Sequence, residues 1–163
     1  MMKFVPVILF IATVATGLAK DTPMTQAEAD HSIRKACTHL KQVLGLPDAK
    51  VTVSTSSAPL NREQFLDRLT VLFSYIKPKI RQNVRPSSVE IKGLATGLSE
   101  PREKTLRSLV NLGLVSPDSL LVKTNQTRFT PREFGQILGG FLARTMDITM
   151  VLDPKYSPEL MPD

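Results

Sequence analysis

Two short phrases constrain this chain more than any other feature: "LNREQF" at 60–65 and "FTPREF" at 129–134. Each places a helix-capping residue (Asn61, Thr130) three positions before a Gln or Glu (Gln64, Glu133). In that capping box the two side chains satisfy each other's free backbone amides. Apolar residues at helical spacing follow: Phe65, Leu69, Leu72, Phe73 and Ile76 in the first, Phe134, Ile137, Leu138, Phe141 and Leu142 in the second. Upstream, Leu44-Gly45-Leu46 aligns with Leu112-Gly113-Leu114 at an offset of 68, and the helix phrases align at 69. A helix, Leu-Gly-Leu, a loop of about fifteen residues and a capped helix therefore occur twice. Repetition of this kind favours a binding scaffold over a single catalytic pocket.

The other helices announce themselves more locally. Thr25-Gln-Ala-Glu28 is a capping box, and Ala29, Ile33, Ala36, Leu40, Val43 and Leu44 fall on one helical face, predicting a helix over 26–44 stopped by Gly45. Ser99 opens a third helix with Leu106, Leu109 and Val110 facing inward and Gly113 at its end. Thr130 caps the fourth, with Pro131 at the favoured first position. Gly139 and Gly140 in that helix suggest close helix approach. Residues 46–59 read as a loop with a scrap of strand at Val51/Val53, and 76–101 as a connector with one short helix near Val89–Leu94. The expected fold is mainly α: two helix-loop-helix repeats packed as a small helical bundle, with minor strand content in the loops. The domain spans 20–146, with units at about 25–77 and 99–146 and a basic connector at 78–98. Residues 147–163 carry three prolines and are expected to form an extended tail.

At the N-terminus one cation, Lys3, precedes an apolar run from Phe4 to Leu18 that ends in small residues. This is the build of a secretory signal peptide over 1–19, with cleavage after Ala19. The run is shorter than the roughly 20 residues that span a bilayer, so membrane contact would be transient. The chain is thus expected to be exported, to the periplasm or the cell surface. It has one cysteine, Cys37, so no intramolecular disulfide can form and stability must come from an ordinary core. Lys and Arg number 21 against 15 Asp and Glu, a balance that suits anionic polymers of the envelope. Nucleic acid is not expected as a partner outside the cytoplasm.

Sites for chemistry are sparse. His31 and His39 are eight apart on one helix, too far for a shared metal, and no carboxylate or thiol is placed to complete a site. Cys37 borders an apolar stripe and reads as a small core residue. Ser54, Ser56 and Ser57 lack a nucleophile-elbow phrase or a matched His. "GQILGG" at 135–140 lies inside a helix and follows no strand, so it is no phosphate loop. "NQT" at 125–127 is a glycosylation acceptor pattern of the eukaryotic secretory pathway. No metal or cofactor is expected, and no enzymatic activity.

The half-repeat resembles the S-layer homology (SLH) unit, a helix ending in a Leu/Val-x-x-Gly-aliphatic-aliphatic phrase, a loop, and a second helix opened by Thr-Arg-Ala-Glu-Phe. "SLVNLGLV" (108–115) looks like the first phrase, and "FTPREF" and "LNREQF" look like degenerate versions of the second. The resemblance implies a helical repeat that binds anionic cell-wall glycan through the motif's Arg. Arg62 holds that Arg position in the first copy, where Gln64 replaces the Glu. In the second, Glu133 holds the Glu position, Pro131 replaces the Arg, and Arg132 follows one residue on. The expected contacts are therefore Arg62, Arg132 and Glu133 at the helix starts and Lys77, Lys79, Arg81 and Arg85 in the basic connector. The expected function is a non-catalytic binding or tethering module whose partner is cell-wall polysaccharide or peptidoglycan. The alternative is an exported helical protein-interaction or chaperone-like protein that forms homo-oligomers through apolar faces two repeats cannot bury.

Overall fold

The computed structural model describes residues 22–149 apart from residue 92; the segment expected to be a signal peptide and the expected tail from 150 onward lie outside the described residues. The order is α1 (Gln26–Leu44), α2 (Arg62–Ile76), a 3₁₀ turn (Lys77–Lys79), α3 (Glu100–Asn111), α4 (Leu120–Lys123) and α5 (Pro131–Thr149). The mainly helical bundle is as expected, and the start of each long helix falls where its cap predicts. α1 stops at Gly45, whose φ of 60° is left-handed and open only to a residue without a side-chain penalty. α5 runs past Arg144, where its apolar pattern fades, because Thr145 and Ile148 are still buried.

Three local expectations fail. Among the described residues the only β pairing is an isolated bridge, Thr25 to Pro59, so Val51 and Val53 form no strand. The helix expected near Val89–Leu94 is not formed among its described residues; Gly93 has a φ of 69°, outside helical space. This stretch is tied down from outside instead: Ser87 N donates to Asn111 O at 2.8 Å and Ala95 N to Val122 O at 2.9 Å. Val43, counted on the apolar face of α1, is exposed in the last turn.

The helix starts come together in a way the repeat only half anticipates. Met24, Leu60 and Phe129 each sit directly before a cap, and their backbones close a ring. Met24 N donates to Phe129 O (2.7 Å), Phe129 N to Leu60 O (3.2 Å) and Leu60 N to Met24 O (2.8 Å). So α1, α2 and α5 begin at one hub, and the Thr25 box is a third member of the set. All three boxes are formed: Glu28, Gln64 and Glu133 each take the amide of their own cap. The first helical amides are satisfied across the hub, Gln26 N by Ala58 O at 3.0 Å and Arg62 N by Gln126 O at 3.2 Å. The third such position is Pro131, which has no N–H to satisfy.

Around this hub Phe65 packs edge-on against Phe129 (centroids 5.1 Å) and stacks on Phe134 (4.6 Å). The apolar residue before each cap and the fourth helical residue thus staple the starts together. α2 is the central element, packed on α1, α3 and α5. Its Arg68 pairs with buried Asp30 of α1 at 2.8 Å, and Asp30 also accepts the Ser54 amide at 2.8 Å, pinning the 46–59 loop to both helices. Arg102 of α3 grips Asp67 bidentately, at 2.9 Å on each oxygen, and reaches Glu63 at 3.0 Å. Among the described residues no helix is long and apolar enough to cross a membrane.

Candidate functional site

Arg62 does not reach the surface. It is 4% exposed and its guanidinium is caged by main-chain and amide oxygens. Nε donates to Leu121 O at 2.8 Å, Nη1 to Ala95 O and Thr96 O at 3.1 Å and to Asn125 Oδ1 at 2.8 Å, and Nη2 reaches Val122 O at 3.4 Å. Burial pulls its pKa below the ordinary arginine value, with the charges of Glu103 and Glu63 acting the other way. With its donors committed to α4 and the connector, Arg62 organises structure, and a glycan outside the fold cannot reach it. Asn125, the residue of the acceptor pattern, is one wall of this cage.

Glu133 is committed in part. One oxygen, Oε2, accepts from Thr130 N (2.8 Å), Thr130 Oγ1 (3.0 Å) and Gln126 Nε2 (3.0 Å). Arg132, one residue earlier in the first turn of α5, is exposed and enters no ion pair among the described residues.

The connector cations divide in two. Arg81 is a latch: its amide donates to Ile148 O at 3.0 Å and its Nη2 to Asp147 O at 2.6 Å, near the C-terminal end of α5. A cation there also suits the helix dipole. Lys77, Lys79 and Arg85 are exposed and enter no ion pair among the described residues. No Asp or Glu occurs between Asp67 and Glu90, so this stretch carries no acidic side chain of its own. The latch and the 3₁₀ turn hold this basic corner against the bundle.

Sequence reasoning missed a cleft of about 400 Å³ between α5 and the chain after α3. Its floor is apolar, from Leu114, Val115, Leu120 and Ile137, and its polar groups are Ser116, Asp118, Ser119, Glu133 and Gln136. Gly140 opens one wall: a Cβ built there meets nothing within 4 Å, so this glycine leaves space where close helix approach was expected. A smaller cavity of about 210 Å³ lies beside Cys37 and Tyr75. Burial pushes the Cys37 thiol up to about 11, which keeps it protonated and unreactive at neutral pH.

Compared with family models, curated proteins and solved structures, the chain matches none of them. The likeness to the SLH unit therefore rests on the phrases at 60–65, 108–115 and 129–134 alone.

Proposed function

We propose that this chain is a non-catalytic binding module of the cell envelope, exported by its N-terminal signal and holding an anionic cell-wall glycan by surface cations. The observation that carries the reading is the basic corner: Lys77, Lys79 and Arg85, exposed, unpaired among the described residues and fixed beside the end of α5 by the Arg81 latch. Fixed cations lose less freedom on meeting a polymer than cations on loose chain, so more of their attraction survives as affinity. Arg132, exposed at the opposite end of α5, is a second and separate cation; Glu133 lines the neighbouring cleft. The self-associating alternative would have to draw on Val43, Val71 and Val89, the exposed large hydrophobics among the described residues, one each on α1, α2 and the connector.

Co-sedimentation with purified cell-wall sacculi tests it. The protein should pellet with the walls at low salt, and the Lys77→Ala/Lys79→Ala/Arg85→Ala variant should stay largely in the supernatant. Equal retention of the two would remove the basic corner from the site.

A further inference from the structure

The basic corner sits against the last described turn of α5. Arg81 N donates to Ile148 O at 3.0 Å and Arg81 Nη2 to Asp147 O at 2.6 Å, so the two backbones touch. Lys77, Lys79 and Arg85 are within four residues of Arg81, at most about 14 Å along extended chain. The carboxylate of that turn, Asp147, pairs with Arg144 at 3.7 Å. Inside the latch, Arg81 Nε is buried and has no hydrogen-bond partner among the described residues. Residues 150–163 continue from this point and carry the opposite charge. Asp153, Glu159 and Asp163 stand there against one cation, Lys155, whereas 68–89 holds Arg68, Lys77, Lys79, Arg81 and Arg85 and no acid. Asp153 is five residues past Ile148, a reach of up to about 18 Å, and Glu159 is eleven past, up to about 40 Å. The first acid can reach the corner, and the next two have chain to spare.

We propose that residues 153–163 fold back onto the basic corner of their own chain, acids against Lys77, Lys79 and Arg85, and compete there with the anionic polymer. The inference rests on the tethering reading for what it regulates; the contact itself does not need a polymer. Attachment at the end of α5 gives these acids an effective concentration at the corner of roughly millimolar, as a short flexible link does. A second copy's segment, at micromolar protein, loses to the one already attached. Exposed ion pairs are individually weak and screened by salt, so the segment occupies the corner without locking it. A polymer that presents many anionic groups together displaces the segment, while a scattered small anion does not. The corner is thereby selective for polyanions, a property that exposed cations alone would lack.

The test places a nitroxide on the exported chain through Ser157→Cys and reads the amide NMR signals of Lys77, Lys79 and Arg85 without polymer. Cys37 is buried with its thiol protonated and leaves the label to position 157. Attachment alone brings some broadening, so the reference is the same label on the Asp153→Asn/Glu159→Gln/Asp163→Asn variant. At about 0.01 M salt the native segment should broaden the corner signals more than the neutral one. That excess should vanish near 1 M salt, where the screening length is about 3 Å. The neutral variant should also bind sacculi about threefold or more tighter at low salt, as weak exposed pairs cease to compete. Equal broadening in the two chains, an excess that survives 1 M salt, or wall binding unchanged by neutralisation would each overturn the proposal. So would the same excess on a spin-free chain mixed with a labelled one, which puts the contact between copies. If neutralisation changes neither spectrum nor retention on walls that hold the protein, the inference falls and the tethering reading stands. If the excess appears while sacculi retain neither chain, the fold-back stands and the tethering reading falls.

Discussion

Arg62 shows what a single residue can hide. At the first position of α2 its charge opposes the helix dipole, and in the sequence that marks it as a cation in need of an anion. In the fold the need is met by oxygens from Ala95, Thr96, Leu121, Val122 and Asn125, far away in sequence. No local pattern carries that information, because carbonyl acceptors belong to every residue type. The position was therefore legible as special, and its partner was not. Arg62→Met keeps much of the side-chain volume but strands those acceptors, and a buried unsatisfied polar group costs about 1–3 kcal/mol. The expected loss is about 3 kcal/mol or more in urea-induced unfolding, with Arg62→Lys recovering less than half, since a compact ammonium cannot replace a five-donor fork. A loss within the roughly 0.5 kcal/mol typical of surface substitutions would return Arg62 to the surface and to the glycan.

At the scale of elements, the helices were readable because their ends are local chemistry. Thr25/Glu28, Asn61/Gln64 and Thr130/Glu133 each specify a start within four residues, and the structure forms each box. The loops were less readable. Val51 and Val53 alternate like a strand, but a strand needs a neighbour that no local pattern supplies. At the two ends of the 89–94 stretch the chain bonds to other elements, Val89 N to Asn111 Oδ1 at 3.3 Å and Ala95 N to Val122 O at 2.9 Å. Thr25→Ala, Asn61→Ala and Thr130→Ala should each cost about 0.5–2 kcal/mol, as loss of a cap does. Because the residues before these caps share one backbone ring, the Thr25→Ala/Thr130→Ala double variant should depart from the sum of the singles by about 0.5 kcal/mol or more. Additivity within about 0.3 kcal/mol, measured by denaturant unfolding, would mean the three starts fold as independent caps.

For the whole molecule the lesson is a third helix start. The two phrases at 60–65 and 129–134 were found because both carry a Phe at the fourth helical position and follow Leu-Gly-Leu. The start at 24–28 has the apolar residue, the cap and the acid, but Ala29 stands where the others have Phe. Its capping box was legible, but that difference hid its kinship with the other two, which the ring of Met24, Leu60 and Phe129 shows. The cleft was hidden for a related reason, being made by residues from two segments that only the bundle brings together. The hub also answers how so few aromatics make a core: Phe65, Phe129 and Phe134 are gathered at one place. On the outside, the cations Lys77, Lys79 and Arg85 stand exposed at the 77–85 corner.

The central claim is that this charge holds the protein to an anionic envelope polymer. The most direct test is retention on sacculi before and after chemical removal of their anionic polymers, over a salt series. Retention that falls steeply with salt on intact walls and disappears on stripped walls is the predicted result, since exposed charges are screened within about 8–10 Å at 0.1–0.15 M salt. Retention that is indifferent to both salt and stripping would contradict the account.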